Sequence, residues 1–102
     1  MLKITNDMEE VISKENAVIA FTAEWCNPCK QLKPHFAKAS VLDNETNYFV
    51  VDVDKIDKKY IDQYGIQSIP QVFEMNNGVI SKKITGKTSD AILKELGKID
   101  AA

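Results

Sequence analysis

Two cysteines, Cys26 and Cys29, are the chain's only thiols, and two residues separate them. On a helix that spacing sets the second sulfur one turn beyond the first. One thiolate can then attack a substrate disulfide while the other resolves the mixed disulfide that forms. The segment Trp25-Cys26-Asn27-Pro28-Cys29-Lys30 directly follows the apolar, β-branched run Ala17-Val18-Ile19-Ala20-Phe21, which reads as a strand buried on both faces. A helical pattern comes next, so the cysteines fall where a strand ends and a helix begins. Unpaired N–H groups and partial positive charge at a helix start favour thiolate over thiol. This placement lowers the pKa of Cys26 and makes it the better nucleophile. Pro28 fits the first turn, where its missing N–H costs nothing.

Other chemistries suit these residues less well. A C-x-x-C pair is half of a structural zinc site, but zinc takes four ligands and the only other soft candidate is His35, beyond Pro34. His35 is expected on the helix surface, since thiolate exchange needs no imidazole. Asp52, Asp54 and Asp57 hint at a calcium loop, but its fifth and sixth positions would be Ile56 and Asp57, where an acid or amide and then glycine are needed. These acids read instead as a solvated strand end. Trp25, directly before a thiol, reads as a groove wall rather than plain core. Lys30 adds positive charge near the thiols, and Glu24 opposes it modestly.

The 102 residues make one domain, with a single core. The chain is 44% hydrophobic and 27% charged, too apolar for disorder, and its net charge of −2 gives no general reason to bind nucleic acid or an anionic membrane. All 13 basic residues are lysine, which disfavours a site built on guanidinium clamps. The N-terminal residues lack an apolar signal region, and no uncharged apolar run is long enough to span a bilayer. A cytoplasmic location is therefore expected. In that reducing compartment a cysteine pair is catalytic or metal-binding more often than structural.

The elements needed to position the pair are legible in order. Leu2 and Ile4 start a short strand, and Asn6-Asp7 cap a helix carrying Met8, Val11 and Ile12. After the cysteines, Leu32, Phe36, Ala39 and Val41-Leu42 suit one helix face, with a kink expected at Pro34. Tyr48 to Val53 is a second buried strand, and Ile56 to Tyr64 a short helix closed by Gly65. Gln71 to Met75 and Val79 to Ile84 form a hairpin about Asn76-Asn77-Gly78. Gly86 breaks the strand, and Thr88 or Ser89 caps a last helix through Ile92, Leu93 and Leu96. The order β-α-β-α-β-α-β-β-α implies an α/β fold with a mixed sheet and helices on both faces.

Ala23-Glu24-Trp25-Cys26-Asn27-Pro28-Cys29-Lys30 resembles the active-site segment of the thioredoxin family, with asparagine where glycine is usual. Pro34 matches the proline of that family's second helix. Tyr64-Gly65-Ile66-Gln67-Ser68-Ile69-Pro70 resembles the segment holding its cis-proline, and Asn77-Gly78 and Gly86 fall at its later glycines. The likeness runs without gaps from about Ala17 to Leu96. It implies a single thioredoxin-like domain over residues 1–102, with a central mixed sheet of about five strands flanked by about four helices.

The resemblance further implies a protein-disulfide reductase with Cys26 as nucleophile and Cys29 as resolving thiol. Trp25, Pro28, Ile69, Pro70 and the backbone near Gly86 would receive an extended substrate polypeptide. No cofactor would be bound. Electrons would come from NADPH through a flavoprotein thioredoxin reductase, the substrates would be disulfide-containing proteins, and the protein would act as a monomer. Asp54 stands where the family has an acid that accepts the tryptophan N–H, although a plain surface carboxylate is the leading expectation. Ala20 and Val50 depart from the family, which usually buries an aspartate and a lysine there. A binding subunit of a larger assembly using the same groove is the alternative. An intact cysteine pair argues against it, and the absence of a secretory signal argues against a net oxidase.

Overall fold

The computed structural model describes residues 2–99. Five strands, β1 (Leu2–Ile4), β2 (Asn16–Thr22), β3 (Asn47–Asp52), β4 (Gln71–Asn76) and β5 (Val79–Ile84), form one sheet in the order β1-β3-β2-β4-β5. β1 and β2 both pair with β3 in parallel, whereas β2–β4 and β4–β5 are antiparallel. The helices are α1 (Met8–Ile12), α2 (Asn27–Leu42), α3 (Lys58–Gln63) and α4 (Ser89–Glu95), with a 3-10 turn at Val53–Lys55. The order is the one expected from the sequence.

Alternation along the central strands divides the core between the two sheet faces. Ala17, Ile19, Phe21, Phe49, Val51, Phe73 and Met75 pack with Met8 and Val11 of α1 and Tyr60 of α3. Val18, Ala20, Tyr48, Val50, Val72 and Ile84 pack with Leu32, Phe36 and Ala39 of α2 and with Ile92 and Leu93 of α4. Full burial of a side chain such as Ile19 or Phe36 contributes about 1.5–3 kcal/mol, so a double-faced core holds β2, and the residues that follow it, firmly in place.

Local signals act where the sequence put them. The Asp7 carboxylate accepts from the Glu10 N–H and caps α1. Asn77 and Gly78 join β4 to β5 with positive φ at both residues, 53° and 80°. A Cβ on Gly78 would also lie 2.6 Å from Ile12 Cγ2, so this turn leaves room only for glycine. Thr88, rather than Ser89, caps α4.

Two expectations need correction. Leu32, Phe36 and Ala39 are buried, but Val41 and Leu42 are exposed, 78% and 60%. The spacing 32, 36, 39 continues to 43, and the buried residue there is Asp43. The three acids at and beyond the end of β3 are not merely a solvated strand end either. The Asp52 carboxylate accepts from the Asp54 N–H and starts the 3-10 turn, and the Asp57 carboxylate accepts from the Lys59 N–H and caps α3. Pro34, expected to kink α2, sits inside it without ending it.

Candidate active site

The chain leaves β2 at Thr22, turns through Ala23 to Trp25 and enters α2 at Asn27. Cys26 is the residue that caps this helix, with extended backbone (φ −92°, ψ 106°). Its Sγ takes the place of a capping oxygen and accepts from the Cys29 N–H at 3.2 Å. Pro28 lies in the first turn, as its fixed φ and missing N–H favour. Cys26 and Cys29 are joined as a disulfide with Cα atoms 5.3 Å apart. The two sulfurs differ in access: Cys29 is fully buried, whereas Cys26 keeps 4% exposure. Both pack with Ala23, and Val53 and Ile69 flank them.

Two hollows adjoin the segment that carries the pair. One, of about 480 Å³, is lined by Trp25, Asp54, Ile61, Ile66 and Ile69. The other, of about 370 Å³, is lined by Pro28, Leu32, His35, Pro70, Lys87 and Thr88. Of the expected groove residues, Trp25 and Ile69 thus line the first and Pro28 and Pro70 the second. The Ile69–Pro70 peptide between them is cis. Gly86 lines neither, but the next two residues line the second.

Charge around the thiols is more organised than the sequence alone suggested. The Trp25 indole N–H donates to Asp54 Oδ2 at 2.8 Å, so this acid is the tryptophan's partner rather than a plain surface carboxylate. Trp25 is 68% exposed, as a groove wall requires. Glu24 is exposed, and Lys55 Nζ engages its carboxylate at 3.2 Å. That pairing raises the Lys55 pKa, chiefly through the hydrogen bond to Glu24, and offsets the negative charge Glu24 would bring toward a thiolate. His35 is exposed on α2. Among the described residues, no three His, Cys, Asp or Glu side chains gather as a metal site, and no helix is long and apolar enough to cross a membrane.

At the positions of the family's buried ion pair, Ala20 and Val50 face each other in register across β2 and β3. They are 1% and 3% exposed, in the apolar cluster beneath α2. Sequence reasoning missed Glu95, whose carboxylate binds the Thr85–Gly86 main chain. Its partners lie nine and ten residues away, and no local pattern announces them.

A strand-to-helix junction presenting a bonded cysteine pair on this mixed sheet defines a thiol–disulfide oxidoreductase. The thioredoxin family model matches residues 2–98. Thioredoxin H3 of Arabidopsis thaliana is 31% identical over 97 residues, spanning 95% of this chain and 77% of the relative. The thioredoxin of Mycoplasmoides gallisepticum is 34% identical over 101 residues, spanning 96% of this chain and all of the relative. The solution structure of oxidised thioredoxin from Plasmodium falciparum superposes with a TM-score of 0.79 at 28% identity and covers both chains completely. This chain belongs to the thioredoxin family. Its activity is that of a protein-disulfide reductase working through the Cys26–Cys29 pair.

Proposed function

We propose that Cys26 opens the exchange and Cys29 closes it. The observation that carries this order is the placement of Cys26 Sγ at the start of α2, taking a backbone N–H bond, with Cys29 buried behind it. In the reduced protein the same helix start favours a Cys26 thiolate. It attacks one sulfur of a substrate disulfide, forming a mixed disulfide and expelling the first substrate thiolate. Cys29 then loses its proton and attacks Cys26 Sγ. The Cys26–Cys29 bond forms, the second substrate thiolate leaves, and the substrate gains two electrons and two protons.

Trp25, Pro28, Ile69, Pro70 and the main chain at Gly86 hold the extended substrate across the two hollows, with main-chain pairing supplying affinity. The protein acts as a monomeric single domain spanning residues 1–102 in the cytoplasm. A flavoprotein thioredoxin reductase returns it to the dithiol with electrons from NADPH, and the domain itself carries only its redox-active cysteines.

Differential alkylation and trapping test the order. With iodoacetamide near neutral pH, Cys26 reacts first, and Cys29→Ser accumulates a mixed disulfide with insulin. Mass spectrometry that finds Cys29 modified first, or normal turnover by Cys29→Ser, reverses the assignment.

A further inference from the structure

The polypeptide between β5 and α4 makes one wall of the second hollow, through Lys87 and Thr88, opposite Pro28 and Pro70. Both ends of this wall are tied to α4. At its far end the Thr88 hydroxyl accepts from the Ala91 N–H. At its near end the Glu95 carboxylate reaches back from the last turn of α4. Its Oε1 accepts from the Thr85 N–H at 2.9 Å and from the Thr85 hydroxyl at 3.0 Å, and its Oε2 accepts from the Gly86 N–H. One side chain thereby holds two successive main-chain N–H groups.

The fit at Gly86 is close. A Cβ there would lie 2.6 Å from Ala91 Cβ and 2.7 Å from Glu95 Oε2, so only glycine brings the main chain to the carboxylate. Lys82 adds to the arrangement by donating to the Glu95 main-chain oxygen. Burial works against the charge on Glu95, but the Thr85 and Gly86 N–H groups, the Thr85 hydroxyl and Lys82 together outweigh it. The carboxyl is held below its usual value and is ionised at neutral pH.

We propose that Glu95 is a positioning residue for substrate: its carboxylate fixes the Thr85–Gly86 main chain, and with it the wall that faces Pro70. It touches neither the sulfurs nor the substrate. The proposal rests on the reading that substrate lies along Gly86. Its consequence is selective. Loosening the wall weakens capture of a polypeptide, which spans the hollow, and leaves unchanged the exchange with a small disulfide that meets Cys26 alone.

The test uses Glu95→Gln, which keeps the reach but replaces one acceptor oxygen with a donor, and Glu95→Asp, one methylene too short. For insulin the expected KM rises about three- to tenfold in Glu95→Gln and further in Glu95→Asp, since part of a charge-assisted hydrogen bond is lost at the wall. The kcat at saturation, the reduction rate of 5,5′-dithiobis(2-nitrobenzoate) and the potential against glutathione stay at the values of the unmodified protein. An unchanged insulin KM in folded variants, or an equal loss with the small disulfide, overturns the role of Glu95. Amide shifts in a Cys29→Ser protein cross-linked to a cysteine peptide test the underlying reading separately. If Gly86 and Lys87 do not respond to the peptide, the groove is elsewhere. If they respond while KM in the Glu95 variants is unmoved, the groove stands and the positioning role falls. Should both variants fail to fold, protection of the Thr85 and Gly86 amides, taken relative to their intrinsic exchange at each pH, that is lost on acidification through the Glu95 titration supports the tie, and no protection at neutral pH refutes it.

Discussion

The sheet face beneath α2 contains two contrasting stations only two residues apart on β3. At Tyr48 the interior is polar. The tyrosine hydroxyl donates to Asp43 Oδ2 at 2.8 Å, the Glu45 N–H donates to Asp43 Oδ1, and Lys98 Nζ stands 3.7 Å from the same oxygen. At Val50, in register with Ala20, the side chains packed together are apolar. The same layer thus accepts a buried carboxylate at one end and none at the other, where the family usually has one. Partners make the difference. Asp43 arrives at the end of α2 with a hydroxyl, a backbone N–H and a lysine within reach, whereas a carboxylate at position 20 would face the side chain of Val50.

The sharpest way to break this contrast is to put an acid at the dry station. Ala20→Asp is expected to cost a few kcal/mol at neutral pH. Burial raises the folded-state pKa of the new acid above its unfolded value. The penalty is therefore small in acid, grows as pH rises through the unfolded pKa, and levels off once the folded pKa is passed. Ala20→Asp/Val50→Lys should recover part of the loss, because the two positions are in register. Urea unfolding of the reduced proteins at acidic and neutral pH measures both effects, and a pH-independent change would refute burial of position 20. With Cys29 as the proposed resolving thiol, single-turnover kinetics should also find faster resolution of the mixed disulfide in Ala20→Asp.

A smaller effect comes from the polar station. Tyr48→Phe removes a donor from a buried carboxylate and should cost about 1–3 kcal/mol. Burial pushes the Tyr48 pKa well above the usual phenol value, with the Asp43 hydrogen bond and charge adding to the shift. Stability tied to this proton is complete below the unfolded pKa and declines as pH rises above about 10. The alkaline limb of the unfolding curve should therefore be shallower in Tyr48→Phe. Tyr60 and Tyr64 are also raised and keep part of the slope. An unaltered limb would mean that Tyr48 does not couple to folding. Lys98→Gln is the mildest change, below about 1 kcal/mol and further reduced by salt, because its ammonium is partly in water.

The contrast also marks what could be read from the residues alone. The order of elements along the chain, the double-faced β2, the Asp7 cap and the Asn77-Gly78 turn follow from patterns a few residues long, and the cysteine motif is equally local. Ala20 and Val50 were legible as apolar partners because the likeness to a known family aligned them. Asp43 was not, because helical periodicity is judged on apolar residues and this stripe ends in a carboxylate whose side-chain partners come from β3 and from beyond α4. Val41 and Leu42 drew the eye instead, and both face water. Glu95 escaped, and the role of Asp54 was offered only by the family likeness and ranked second, for a related reason. Each is an ordinary surface acid until folding brings an indole or a pair of backbone N–H groups to it.

Trp25 is the chain's single tryptophan, adjacent in sequence to Cys26, with its indole N–H held by Asp54 and its ring largely in solvent. All indole emission therefore originates beside the redox pair. Making or breaking the Cys26–Cys29 bond changes the fluorophore's immediate neighbour, and a polypeptide held in the proposed groove would remove water from its face. Each step of the exchange thus carries an intrinsic optical signature, and it can be followed in real time without attaching a dye.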